Sequence, residues 1–208
     1  MKAILAAVVV AFGFAAGARA ADTYKIDPVH SSVGFSVRHM VISNVKGKFR
    51  EFAGTIVLEN NHLIEATGTI QTKSVDTGVA QRDQDLRSAN FFDVEKFPTI
   101  TFKSKRVEKK GEEFVLVGDF TMHGVTKELS LPVKLSGPVK DPWGNSRIGL
   151  ETRTKLSRKD YAMTYNKALE AGGLVVGDEV EIEINAEAVK EKIEEGQSCG
   201  RLLGRLLQ

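Results

Sequence analysis

The run Glu179-Val180-Glu181-Ile182-Glu183-Ile184-Asn185-Ala186-Glu187-Ala188 decides the fold. Its apolar members, Val180, Ile182, Ile184, Ala186 and Ala188, alternate with four glutamates and an asparagine. Period two places successive side chains on opposite faces of a strand, so one face is built for an apolar interior and the other for water. The same alternation returns in Leu129, Leu131, Val133 and Leu135, in Ile148, Leu150, Thr152, Thr154 and Leu156, and in Ile100, Phe102 and Ser104. Further strands are expected over residues 24–27, 32–38, 46–59, 62–71 and 113–123.

Most joints between these runs are short. Asn60-Asn61, Lys109-Lys110-Gly111, His123-Gly124 and Asp141-Pro142-Trp143-Gly144 carry the turn chemistry of antiparallel neighbours. Helical signal is confined to residues 79–88, 40–43 and a charged stretch at 189–195. The chain therefore reads as all-β: an antiparallel barrel of about eight strands with one or two short helices. A sandwich would bury the same faces, but several runs exceed the ~5–6 residues usual for a strand, which favours the barrel. Gly47, Gly54, Gly68 and Gly118 fall inside the runs, where a bend is easiest. An eight-stranded barrel can be filled by its own side chains or hold one small ligand, and periodicity leaves both open.

The beginning of the chain reads as an export signal. Lys2 precedes an apolar run over residues 3–16, and Ala18-Arg19-Ala20 is an A-x-A cleavage frame, so residues 1–20 are expected to be removed. The run is shorter than the ~20 apolar residues that span a bilayer. The expected organisation is a signal peptide at 1–20, one barrel domain at 21–190 and a tail at 191–208, with the mature protein in the periplasm and not spanning a membrane. Cleavage takes Lys2 and Arg19 from the 29 basic residues, leaving 27 against 27 acidic ones. That balance gives no reason to expect nucleic acid. The one cysteine, Cys199, lies in the tail and cannot form an intramolecular disulfide.

One segment breaks the strand pattern. Residues 82–98 read Arg-Asp-Gln-Asp-Leu-Arg-Ser-Ala-Asn-Phe-Phe-Asp-Val-Glu-Lys-Phe-Pro. A solvated helical turn needs no Phe91-Phe92, and a plain core needs no Arg82, Asp83, Asp85 and Arg87. The mixture suits the mouth of an apolar cavity, where the polar and apolar parts of one molecule are read together.

The histidines do not form a metal motif. His30, His39, His62 and His123 lack His-x-x-x-His or His-Glu-x-x-His spacing, so no metal is expected. No Gly-x-Ser-x-Gly elbow or phosphate-binding glycine loop is present, and no catalytic residue is assigned. The glycine-containing segment 166–177 reads as a hairpin connection that could flap over one barrel end.

A resemblance completes this reading. Residues 24–40 (Tyr-Lys-Ile-Asp-Pro-Val-His-Ser-Ser-Val-Gly-Phe-Ser-Val-Arg-His-Met), Gly47-Lys48-Phe49, Phe52-Ala53-Gly54, Arg82-Asp83 through Leu86-Arg87-Ser88, Phe91-Phe92-Asp93, Phe97-Pro98-Thr99-Ile100-Thr101-Phe102 and Gly118-Asp119-Phe120-Thr121-Met122-His123-Gly124-Val125-Thr126 occur in an order that resembles the YceI-like family, over about residues 22–188. The resemblance implies a lipocalin-like antiparallel barrel, exported to the periplasm, that holds a long isoprenoid chain or a similar amphiphile such as a quinone in a central tunnel. It implies no cofactor beyond that lipid. One departure is that Asp85 stands where the family usually has histidine, and an ionised carboxylate cannot donate to a head group.

On this reading Phe35, Val37, Phe49, Phe52, Ile56, Phe91, Phe92, Phe102, Phe120 and Met122 are candidates for the apolar lining. A slip of one residue in any strand would turn its member outward. Arg38, His39, Arg82, Asp83, Asp85 and Arg87 are candidates for the polar end. The expected function is non-catalytic carriage or sequestration of a polyisoprenoid or isoprenoid-quinone-like lipid. The alternatives are an accessory enzyme or redox partner using Arg82, Asp83 and Asp85 on a bound quinone, and a filled barrel serving only as an interaction module. Pairing of two barrels as a homodimer stays open.

Overall fold

A computed structural model describes residues 21–111, 113–168 and 174–192. The expected signal peptide, the centre of the segment at 166–177 and the tail with Cys199 lie outside the described residues. Eleven strands form one antiparallel sheet: β1 (Asp22–Ile26), β2 (Ser32–His39), β3 (Ser43–Phe49), β4 (Phe52–Glu59), β5 (His62–Gln71), β6 (Val75–Asp76), β7 (Thr99–Lys110), β8 (Glu113–Met122), β9 (Val125–Lys140), β10 (Ser146–Ser157) and β11 (Val176–Lys190). One α-helix, α1 (Ala80–Arg87), follows β6.

Eight of these strands close a barrel. The order β1-β4-β5-β7-β8-β9-β10-β11 returns to β1 through Tyr24 opposite Lys190 and Ile26 opposite Ala188. Closure satisfies the hydrogen-bonding groups that an open edge would expose. β2, β3 and β6 branch from the upper part of β11, where Val180 lies opposite Val37 and Asn185 opposite Ser32. β1 and β2, β3 and β4, and β5 and β6 thus form three broken paths whose lower halves belong to the ring. Their upper halves end at the edge strand β6, and α1 with the segment 88–98 covers that side. Arg87 donates to the carbonyls of Lys73 and Val75, and the Thr72 amide donates to the Pro98 carbonyl.

Three sequence expectations change here. The single strand expected at 46–59 is two strands broken at Arg50-Glu51, whose backbone groups instead pair with Ser74 and Gln71. Residues 40–42, expected with Ser43 as helical, are a turn, because Met40 and Val41 take left-handed backbone angles that no right-handed helix contains, and Ser43 already begins β3. Val189 and Lys190, placed in a helical stretch by their charged surroundings, continue β11 and pair with Lys25 and Tyr24.

Two of the glycines mark tight strand approach. A Cβ at Gly118 would sit 2.2 Å from the Lys103 carbonyl oxygen, beside the register shift between Ser104 and Arg106; one at Gly54 would sit 2.4 Å from that of Thr67. Gly68 meets no such obstacle. At the lower end Tyr24, Leu58, Leu63, Ile148 and Ala188 pack solidly. The upper cluster around Val33, Phe49, Ile100, Met122 and Leu156 instead surrounds open space.

Candidate functional site

The inward faces of the strands enclose a tunnel in three adjoining parts. The deep chamber, of about 120 Å³, is lined by Phe52, Ile56, Phe102, Leu131, Leu150 and Ala186 among others. The upper chamber, also about 120 Å³, is lined by Phe35, Phe49, Leu86, Phe92, Met122 and Val180. Val33, Ile70, Ile100, Phe120, Leu156, Ile182 and Ile184 border both, so the two chambers adjoin and share a wall. Above them a mouth of about 280 Å³ is bounded by Arg38, His39, Arg82, Asp85, Tyr165 and Lys167, and shares Phe35, Val37, Leu86, Phe91 and Val176 with the upper chamber. The tunnel is therefore apolar at depth, polar at its opening, and blocked below by the packed lower core.

All ten apolar residues singled out in the sequence lie on the tunnel wall. Phe52, Ile56 and Phe102 face the deep chamber, Phe120 faces both chambers, and Phe35, Val37, Phe49, Phe91, Phe92 and Met122 face the upper one. Phe35 packs on Phe49 at 5.8 Å between ring centres, and Phe49 meets Phe92 edge-on at 5.6 Å, so the wall of β2 and β3 is locked to the segment after α1.

The six polar candidates divide. Arg38 and His39 from the end of β2, with Arg82 and Asp85 from α1, line the mouth. Asp83 and Arg87 do not. On a helix, positions 82, 85 and 86 share one face and 83 and 87 another. The second face turns to the β6 segment, where Asp83 accepts from Thr77 and Arg87 donates to backbone carbonyls. Asp83 is buried and engaged, and so is not presented to a bound molecule. Asp85 is exposed and accepts from Asn90 Nδ2 at 3.0 Å, while Arg82 donates to the Thr77 hydroxyl and carbonyl.

The segment 166–177, expected as a hairpin connection that could flap over one barrel end, contributes to a strap on the other side of the mouth, although none of its residues is among the site candidates read from the sequence. Tyr165, Lys167, Val175 and Val176 belong to it. The Val175 amide donates to the Lys167 carbonyl, Asn166 makes paired bonds with Val176, and Met40 N–H donates to the Val175 carbonyl. Tyr165 meets Phe91 edge-on at 5.4 Å, joining strap to helix segment across the opening. Arg158, 3% exposed, organises the strap from beneath. Its five N–H donors are taken by the carbonyls of Gly177, Met163, Tyr165 and Val176 and by Asp178 Oδ1. Burial lowers its pKa from the ordinary arginine value, opposed by the Asp178 carboxylate. Arg158 is a satisfied structural cation, not a spare charge for a ligand.

Two further features bear on chemistry. The Thr152 hydroxyl, on the wall of the deep chamber, is buried without a hydrogen-bond partner among the described residues. On the outer face toward the closed end, Asp27, His30 and Glu187 bring potential ligand atoms within 4.8 Å of one another. Arg147 already donates to Asp27 Oδ2 at 2.9 Å and Glu187 Oε1 at 2.6 Å, so a guanidinium occupies the place a cation would take.

A family profile described as the YceI-like domain matches residues 24–188. The chain belongs to the YceI-like family. The protein YceI of Salmonella newport is 39% identical over 183 residues, covering 86% of this chain and 93% of that protein. Among solved structures, Burkholderia cenocepacia BcnA superposes with a TM-score of 0.68 at 19% identity, covering 78% of this chain and 98% of BcnA. A polyisoprenoid binding domain from Saccharophagus degradans superposes with a TM-score of 0.60 at 19% identity, covering 81% of this chain and 98% of that domain. Among the described residues of this chain, no helix is long and apolar enough to cross a membrane.

Proposed function

We propose that this YceI-like protein is a non-catalytic, exported binding protein that takes the hydrocarbon tail of a polyisoprenoid or isoprenoid-quinone-like lipid into its tunnel. The observation that carries the reading is the succession of adjoining cavities: an apolar deep chamber, an apolar upper chamber that shares its wall, and a mouth that turns polar only at Arg38, His39, Arg82, Asp85 and Lys167. The Saccharophagus domain, by its name a polyisoprenoid binder, shares the fold and supports the choice of guest.

Energetics fit a tail-dominated interaction. Each methylene withdrawn from water contributes about 0.8 kcal/mol, so a multi-isoprene tail needs few polar contacts. Arg38, Arg82 and Lys167 offer donors to an acceptor-bearing head such as a quinone carbonyl or a phosphate. Catalysis finds no assembled pair, since His39 makes no side-chain hydrogen bond with a carboxylate or hydroxyl among the described residues and Asp83 is committed to Thr77. Location in the periplasm is part of the proposal and rests on the leader expected at residues 1–20.

Organic extraction of the protein purified from its exported fraction, followed by mass spectrometry, tests the reading. An intact prenyl lipid in amounts comparable to the protein is the expected result. Protein that folds and exports normally yet releases no hydrocarbon-chain lipid overturns it.

A further inference from the structure

The turn between β2 and β3 carries unusual residues for its backbone. Met40 and Val41 stand at φ 49° and 64°, and the Ile42 amide closes the turn on the His39 carbonyl at 3.1 Å. The β4–β5 turn has nearly the same angles, 50° and 63°, filled by Asn60 and Asn61, and the β8–β9 turn places His123 and Gly124 at 50° and 75°. Asparagine and glycine are the residues this left-handed backbone favours, whereas a β-branched valine is strained in it. Burial does not offset that strain. Met40 is 41%, Val41 60% and Ile42 78% exposed.

The position of this apolar tip gives it meaning. It directly follows Arg38 and His39 on the tunnel mouth and is tied to the strap through Met40 N–H and the Val175 carbonyl. Exposed Leu174 on the strap and Val79 at the start of α1 add apolar surface to the same end. Around the rim, Arg38, Arg82 and Lys167 face one carboxylate, Asp85, and none of the three cations is ion-paired among the described residues. An apolar tip inside a basic rim is the chemistry of a surface that enters the interface of an anionic bilayer.

The geometry points to a membrane-docking function: residues 40–42 insert into the outer layer of an anionic lipid bilayer and set the tunnel mouth against it. A lipid tail can then pass between bilayer and tunnel without crossing water. This deepens the lipid-binding reading and rests on it for its purpose, but the docking itself is measured separately.

Flotation with phosphatidylcholine vesicles, with and without phosphatidylglycerol, tests it, using exported protein whose N-terminus is fixed by intact mass. The protein is expected to float with phosphatidylglycerol vesicles and to be released by salt. The double variant Met40→Asn, Val41→Gly suits the turn better, so it should fold and melt no lower than the parent. Its vesicle partitioning should fall by roughly ten- to hundredfold. A tryptophan placed by Val41→Trp should shift to shorter wavelength on vesicle addition, while Trp143, exposed at the opposite end, stays unshifted in the parent.

Absence of vesicle binding by the parent, equal binding by the double variant, or a shift at Trp143 overturns the inference. So does a tip variant that changes oligomeric state and leaves vesicle binding intact, since the tip would then be an interface between copies. Lipid extracted from a protein that ignores vesicles would sink docking alone. Tip-dependent docking by a protein that yields no lipid would sink the lipid-binding reading alone.

Discussion

Asp83 accepts both the backbone N–H of Thr77, at 2.8 Å, and its hydroxyl, at 2.5 Å, and so fastens α1 to the end of β6. This carboxylate belongs to the structure that holds Leu86, Phe91 and Phe92 over the upper chamber, not to the chemistry of the mouth. Asp83→Ala is expected to lower unfolding free energy by roughly 1.5–3 kcal/mol, the range for hydrogen bonds to a charged group. Asp83→Asn, whose amide oxygen can still accept, should lose less. Urea unfolding of the two variants checks this, and equal stability of Asp83→Ala and parent would remove the role assigned to this contact.

Arg147 predicts an acid limit for the closed end. It donates to Asp141 Oδ2 and Asp27 Oδ2, both at 2.9 Å, and to Glu187. Hydrogen bonds from the His30 ring and then Arg147 hold Asp27 down to about 2, and Arg147 foremost holds Asp141 at about 2. Carboxylates whose folded pKa is depressed stabilise the fold above their ordinary value of 3.8, and that contribution fades as pH falls through about 2. The difference in melting temperature between the parent and Arg147→Met should be constant above about pH 5 and shrink between about pH 4 and 2. A difference that holds undiminished at pH 2 would contradict the assignment.

Thr152 makes a prediction of opposite sign. Its buried hydroxyl has no partner on the apolar wall of the deep chamber. Replacing it with the similarly shaped valine removes an unsatisfied polar group, and Thr152→Val should gain about 1 kcal/mol of stability. Thermal unfolding of lipid-free protein is the measurement. A loss of stability would mean that the hydroxyl has a partner in solution, such as a bound water.

Much of this architecture was legible in the chain, for a physical reason. A barrel with one wet face and one dry face forces period two on its strands, which is why the run ending at Ala188 reads as a half-buried strand, while the length of the runs favoured a barrel over a sandwich. Phe35, Phe49, Phe102 and Phe120 reached the wall by the same rule. The break at Arg50-Glu51 was not legible, because no glycine or proline marks it and its backbone bonds go to distant Ser74 and Gln71. Asp83 and Arg87 were misplaced because residues 82–87 were taken as one charged group, although helical spacing separates the face of Arg82 and Asp85 from theirs. Arg158 gave no signal, as its partners are mostly backbone carbonyls supplied by the folded strap.

The central claim is that a hydrocarbon chain threads from the mouth through the upper chamber into the deep one. Ile182 borders both chambers, so Ile182→Trp narrows the passage between them without touching the mouth. Native mass spectrometry of parent and variant, purified side by side, tests the claim most directly. The parent should carry a long-chain lipid, and the variant should keep a shorter one or lose it while remaining folded. An identical lipid of the same length and occupancy in both proteins would contradict a tunnel that runs through this point.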